Sequence, residues 1–266
     1  YNQIAHEQTL NNRVKAWHIG IGGDIYGFHY CLLGTYAQNY GRYNDKEFWH
    51  DMQSHNIALM LDVEKTVEDK IKDILVKRFS LHEMHSYVWM YYDECKDLGI
   101  EIEDNVKLVN ATNPNIEVIR KSIIPTQLCQ VKTNNTFAPD FGMFEVGRVV
   151  EGLKEDGMCN ERKKLAVTLF SKTKTVEALY FELRDILAVI TDDLKHKTLS
   201  FVKAEPTHSY EHPVNLNTIV LDGREIGTIG IVHPVVGKKI DKKSSVVFAE
   251  IDMNAFADAE NASICY

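Results

Sequence analysis

Two charged residues interrupt an otherwise apolar run, Met143 to Val150: Glu145 and Arg148. The run alternates like a strand, with Phe144, Val146, Arg148 and Val150 on one face and Met143, Glu145, Gly147 and Val149 on the other. Ionised groups in so apolar a strand need partners or water, so they are either edge groups or site groups. Arg120 stands just ahead of Ser122 and Pro125, and His212 and His233 each precede a proline. These five residues are the candidates for chemistry, against the plainer reading that they cap turns and close ion pairs where strands end. Other constellations fail on spacing. His82-Glu83-Met84-His85 would be a zinc pair only if the second histidine stood at Ser86, so no metal site is expected. Gly20-Ile21-Gly22-Gly23 lacks both the dinucleotide-binding spacing and the Lys-Ser or Lys-Thr of a phosphate loop, and reads as part of packed loops with aromatic anchors. No Gly-x-Ser-x-Gly elbow and no cysteine in a catalytic context occurs.

The elements that would position these groups are readable from periodicity. Val63, Val67, Ile71, Ile74, Leu75 and Phe79 recur at helical spacing, with Thr66 as a hydroxyl cap and Glu68 and Asp69 in the first turn. A strand is expected next, with His85, Tyr87, Trp89 and Tyr91 on one side and Met84, Ser86, Val88 and Met90 on the other, both faces covered. Val106 to Asn110 alternates as a further strand, stopped by the turn signal Asn113-Pro114-Asn115. Pro125 opens a short helix that carries Leu128, Cys129 and Val131 inward. Leu165 to Phe170 reads as a strand. Thr175 to Ile190 is the clearest helix, capped by Thr173 or Thr175. Asp222-Gly223 joins Thr218–Leu221 to Glu225–Val232 as a tight hairpin, and Ser245 to Met253 supplies a last strand carrying Glu250.

Composition bounds the function. A chain of 266 residues with 44% hydrophobic and 26% charged residues can bury a substantial core. Net charge of -8 argues against a dominant basic surface, so any RNA contact is local or comes from a partner chain. The lysines of Arg162-Lys163-Lys164 and of Lys238-Lys239 with Lys242-Lys243 are the runs that could touch phosphate, although such runs are usually solvated faces. Five cysteines, odd in number and far apart, with no Cys-x-x-Cys, fit a reducing cytoplasm. No apolar run reaches membrane-spanning length.

The order Arg120-Lys-Ser122-Ile-Ile-Pro125, then Asn134, then Phe144-Glu145-Val146-Gly147-Arg148, resembles the catalytic-like core of the phenylalanyl-tRNA synthetase beta subunit. The run from His212-Pro213 through Asp222-Gly223 to Gly227-x-x-Gly230-x-x-His233-Pro234 is a second similarity. Lys72, Leu75, Phe79 and Glu83 stand where the family has Arg-x-x-Leu and Gly-Phe-x-Glu. The sequence departs from the family at Asn110-Ala111 for Asn-Pro, at Pro125-Thr126-Gln127-Leu128 for Pro-Gly-Leu-Leu, and at His212-Pro213-Val214-Asn215 for His-Pro-Gly-Arg.

The resemblance implies an α+β fold, the antiparallel sheet flanked by helices of class II aminoacyl-tRNA synthetases. It implies a non-catalytic role. Activation gathers a carboxylate and phosphates, so it needs arginines and magnesium ligands. The catalytic Phe-Arg-x-Glu is here Phe144-Glu145-Val146-Gly147, and the Gly-x-Gly-x-x-x-Glu-Arg is Gly227-Thr-Ile-Gly230-Ile-Val-His233. Arg120, Glu145, Arg148, His212 and His233 would then line a vestigial cleft or an interface. Val67, Ile71, Leu75 and Phe79 would face a catalytic alpha-type subunit that holds ATP and magnesium, with no cofactor on this chain and tRNA engaged only indirectly. The alternative is a stand-alone small-molecule-binding or homodimeric module without ligase activity. Residues 1–60 are left unassigned, 61–258 form the synthetase-like domain, and 259–266 are a tail; the chain is expected to be a shortened paralogue, a fragment or a complete subunit.

Overall fold

The computed structural model describes residues 14–25, 28–39, 54–102, 105–111 and 113–259. They fall into two compact units, Tyr1–Asp69 and Lys70–Tyr266. In the first, β1 (Val14–Ile25), β2 (Phe28–Asn39) and β3 (Ser54–Lys65) form an antiparallel sheet in that order. This corrects the expectation of packed loops. Gly20 pairs with Leu33 and Gly34 with Ile19, and a Cβ on Gly20 would come within 2.9 Å of Leu33 Cδ2. The glycines therefore make room for large cross-strand neighbours instead of breaking the strands. The run Gly20 to Gly23 is extended strand, not a phosphate-cradling loop. Gly27, Gly41 and the tail beyond Ala259 lie outside the described residues.

Helix α1 (Val67–Phe79) starts later than its apolar spacing suggests, because Val63 belongs to β3. Thr66 is the cap, its hydroxyl accepting the Asp69 N–H at 3.3 Å. After β4 (His82–Glu83) the expected long strand fails: residues 84–88 are irregular, β5 covers only Trp89–Met90, and Tyr91 opens α2 (Tyr92–Leu98). Ser86 is drawn out of any ladder by a buried carboxylate (Glu145, below), and Tyr87, Val88 and Tyr91 are exposed, so the two faces are not both covered. Val106 to Asn110 likewise makes only a single bridge, Lys107 to Val118, before turning. The Asn113 side chain accepts the Asn115 N–H and starts a single 3-10 turn at Pro114–Ile116, as the turn signal indicated.

The remaining elements are β6 (Val118–Ile119), α3 (Ile124–Asn134), β7 (Asp140–Leu153), β8 (Cys159–Ser171), α4 (Val176–Lys195), β9 (Ser200–Lys203), β10 (Glu211–Leu221), β11 (Arg224–Val232), α5 (Pro234–Ile240), β12 (Ser245–Asp252) and α6 (Met253–Asp258). Of these, α3, α4, β11 and β12 lie where the sequence places them, β7, β8 and β10 run longer than expected, and β6, β9, α5 and α6 were not expected. Pro125 sits in the first turn of α3, and Thr175 caps α4 through the Ala178 N–H. Asp222 and Gly223 both have positive φ, 54° and 74°, which is the backbone of a two-residue hairpin turn.

Seven strands make the main sheet in the order β4-β7-β8-β12-β11-β10-β9. All pairings are antiparallel except the short edge strand β4 against β7. Alternation divides the sheet. Met143 and Val149, Ala166 and Phe170, and Val246 and Phe248 join the core with Leu128 and Val131 of α3, Leu98 of α2 and Val236 and Ile240 of α5. On the opposite face, buried Leu179, Leu183, Ile186 and Leu187 line the inner side of α4, which packs on β8, β11 and β12. An α+β sheet flanked by helices is thus present, as expected.

Candidate functional site

Arg120 leaves β6 and enters the core, where each of its three guanidinium nitrogens donates a hydrogen bond. Nη2 donates to Glu145 Oε1 at 2.9 Å, Nη1 to Ser86 Oγ at 2.6 Å, and Nε to the Arg148 carbonyl at 2.9 Å. Ser86 Oγ donates in turn to Glu145 Oε2 at 2.6 Å. β7 brings Glu145 here because odd positions of that strand face the α3 layer. Gly147, two residues on, leaves the space: a Cβ there would lie 2.3 Å from Arg120 Nη2.

Two residues along, Ser122 anchors a second network. Its Oγ donates to Glu250 Oε1 at 2.9 Å and accepts from the Ile124 N–H and the Tyr210 hydroxyl at 3.1 and 3.2 Å. Glu250 Oε1 also accepts the Ile123 N–H at 2.7 Å, and Lys164 Nζ reaches Glu250 Oε2 at 3.3 Å and Glu151 Oε1 at 3.2 Å. Burial would lower the Lys164 pKa, but Glu250 and Glu151 outweigh it and hold the ammonium above its ordinary value. Burial pushes the Tyr210 phenol well above its usual range, and Glu250 adds to that.

The structure therefore brings together the side chains of Arg120 and Glu145, with Arg148 reaching them through its carbonyl alone, and neither of the two histidines. Arg148 is 73% exposed and meets Glu161 at 3.4 Å on the surface. His212 Nδ1 accepts the Val214 and Asn215 N–H groups, and His233 Nδ1 accepts that of Val235 as the N-cap of α5. These two imidazoles organise turns. Of the presumed interface stripe, Ile71 and Leu75 are buried within this chain, while Val67 and Phe79 are half-buried. His82 and His85 are exposed, and no group of three metal-ligating side chains forms among the described residues. Sequence reasoning missed Ser86 and Tyr210, and read Lys164 as a possible phosphate contact where the structure pairs it with Glu151 and Glu250. Ser122 stood within a quoted motif without a role, and nothing in the period of residues 84–88 marks Ser86.

Beside the second network, on the same sheet face, a cleft of about 310 Å³ opens between Glu151, Lys164, Tyr210, Glu225, Thr228 and Glu250. Glu211 and Asp252 also line it, so five carboxylates face one ammonium, and no arginine is among the lining residues. The formal charges around it are mostly negative, which disfavours phosphates.

Comparison with known proteins places the chain in a family. The family model described as the phenylalanyl tRNA synthetase beta chain CLM domain matches residues 52–253. Among relatives, the phenylalanine–tRNA ligase beta subunit of Vibrio vulnificus is 29% identical over 218 residues, covering 77% of this chain and 26% of the relative. That of Bacillus subtilis is 29% identical over 187 residues, covering 65% and 23%, and that of Leptospira borgpetersenii is 23% identical over 211 residues, covering 76% and 25%. The chain spans about a quarter of the length of these relatives. A pyrrolysyl tRNA synthetase from Desulfitobacterium hafniense superposes with a TM-score of 0.56 over 72% of this chain and 66% of its own, at 11% identity, which speaks to the fold alone. With three quarters of its length matched by that model, the chain belongs to the phenylalanyl tRNA synthetase beta chain CLM domain family.

Proposed function

We propose that this chain is the non-catalytic, beta-type core of a phenylalanine–tRNA ligase, working in the cytoplasm beside a catalytic alpha-type subunit that supplies the ATP and magnesium site. The observation that carries the reading is the sheet cleft. Amino-acid activation accumulates negative charge on carboxylate and phosphate oxygens, and a competent site aims arginines or magnesium at it. Here five carboxylates and a single lysine, itself committed to Glu250 and Glu151, stand around the cleft. The buried Arg120 is committed elsewhere, since each of its three guanidinium nitrogens donates a hydrogen bond, to Ser86, Glu145 and the Arg148 carbonyl.

What remains for this module is to be a scaffold. We place the pairing surface on the outer side of α1 and the segment that follows it to Tyr91, instead of on the stripe Val67, Ile71, Leu75 and Phe79, of which Ile71 and Leu75 are buried. Ile71 and Leu75 hold that helix to its own core, while Val76, Tyr87, Val88 and Tyr91 are exposed, and Tyr87 stacks on Trp89 at 4.4 Å. Exposed aromatics on an anchored element suit a protein interface. None of the helices among the described residues is long and apolar enough to cross a membrane. Co-expression with an alpha-type subunit tests the reading: the two chains should copurify as one species, and Tyr87→Glu with Tyr91→Glu should separate them without lowering the melting temperature. Failure of the unaltered chain to associate with any such subunit would refute the assignment.

A further inference from the structure

The first unit is a sheet without a core of its own. None of the side chains described in β1 and β2 is buried, and no helix precedes Val67 among the described residues. Alternation nevertheless sorts the sheet into two unlike faces, because residues directly opposite one another on paired strands share a face. Trp17, Ile19 and Ile21 of β1 stand opposite Tyr36, Gly34 and Leu32 of β2. On β3 the register continues from these with Ile57, Leu59 and Leu61. The other face carries smaller and more polar groups: Ala16 stands there beside His18, whose Nδ1 shares a hydrogen bond with the Thr35 hydroxyl at 2.9 Å.

The apolar face lies open. Ile19 is 72% exposed, Ile21 59% and Trp17 56%, and the Trp17 ring stacks on that of Tyr36 at 5.5 Å. Large side chains held in register on a strand ladder form a continuous patch, unlike the isolated exposed apolar residues that every surface has. A three-stranded sheet gains stability from burying such a face, so something has to cover it.

We propose that this face is a self-association surface, covered by the same face of a second copy of the chain. Area supports that occupant. At 12 residues per strand the face is about 40 Å long, and three strands make it about 14 Å wide. Two such faces packed together remove about 1,100 Å² from water, which passes the roughly 1,000 Å² expected of a specific interface. A second copy brings a face of the same length and the same twist, as aligned sheet packing requires, and a two-fold contact needs only one self-complementary surface. Charge points the same way. Copies that each carry a net charge of -8 repel one another, and a face on which Trp17, Ile19, Ile21, Leu32 and Tyr36 present no charge is where they can approach. β1 and β2 precede the matched residues 52–253, so this surface stands apart from the proposed pairing with an alpha-type subunit.

Sedimentation of the whole chain over a range of concentrations tests it. The parent should shift from monomer to dimer at low micromolar concentration. I19T/I21T keeps the β-branch at both positions but removes apolar area from each copy, and should weaken the dimer at least about 100-fold. I19V/I21V, equally β-branched and still apolar, should keep the parent behaviour. The proposal is overturned if the parent remains monomeric at about 100 µM, whatever else then covers the face. It is also overturned if I19T/I21T dimerises as the parent does, or if I19V/I21V loses the dimer to the same degree as I19T/I21T. Copurification with an alpha-type subunit is read separately, so the pairing assignment stands or falls on its own.

Discussion

Arg120 Nη2 lies 2.9 Å from Glu145 Oε1, and the two side chains are only 1% and 3% exposed. The pair ties the entry to α3 to the middle of β7 and fixes the irregular segment at Ser86. Removing one member strands a charge in the core. Arg120→Met should cost about 3 to 5 kcal/mol in a urea titration, and Arg120→Met with Glu145→Leu should recover much of that loss, because no charge is then left alone. A double variant no better than the single one would mean that the pair stabilises in its own right.

Gly227 faces the neighbouring strand so closely that a Cβ would stand 2.0 Å from the Glu250 carbonyl oxygen and 2.8 Å from Ile251 Cα. Both are backbone atoms and cannot rotate away. Gly227→Ala should therefore cost about 3 kcal/mol or more, at the upper end of overpacking. At Gly237, inside α5, nothing lies within 4 Å, so Gly237→Ala should stabilise by about 0.5 to 1 kcal/mol. Thermal melts of the two variants should move in opposite directions.

The Lys164 ammonium is favoured by folding: burial opposes its charge, but Glu250 and Glu151 raise its pKa above the ordinary 10.5. A base with a raised folded pKa contributes stability that is fully present below the unfolded value and disappears as pH rises through the folded one. The stability difference between the parent and Lys164→Met should be flat from about pH 7 to pH 10 and shrink above that. Chemical denaturation across that range measures it.

Thr126 Oγ1 is buried and has no hydrogen-bond partner among the described residues. An unpaired buried hydroxyl costs about 1 to 3 kcal/mol, and valine is of nearly equal shape and similar helix propensity, so Thr126→Val should raise stability by about 1 kcal/mol. A lower melting temperature would mean that the hydroxyl is satisfied in solution.

The local rules that govern helices and hairpins were strong in this sequence. The Pro125 start of α3, the Thr175 cap of α4 and the Asp222-Gly223 turn each depend on one or two residues, so all three were legible. The quoted motifs also acquire a physical reason: Arg120 meets Glu145, and Ser122 meets Glu250. Their side chains hold three segments together, a role that spacing alone could not separate from catalysis. Ser86 was illegible because its place is set by a partner 59 residues away in sequence. The first unit was misread for the opposite reason. Trp17, Ile19 and Ile21 do alternate, but the intervening glycines look like turn signals until Leu33 is seen across the strand.

Phenylalanine charging of tRNA, assayed with this chain alone, with an alpha-type subunit alone and with the two combined, puts the account at greatest risk. Activity should appear with the combination, and this chain alone should form neither adenylate nor charged tRNA. Charging by this chain in isolation, or no gain on adding it to the alpha-type subunit, would contradict the account.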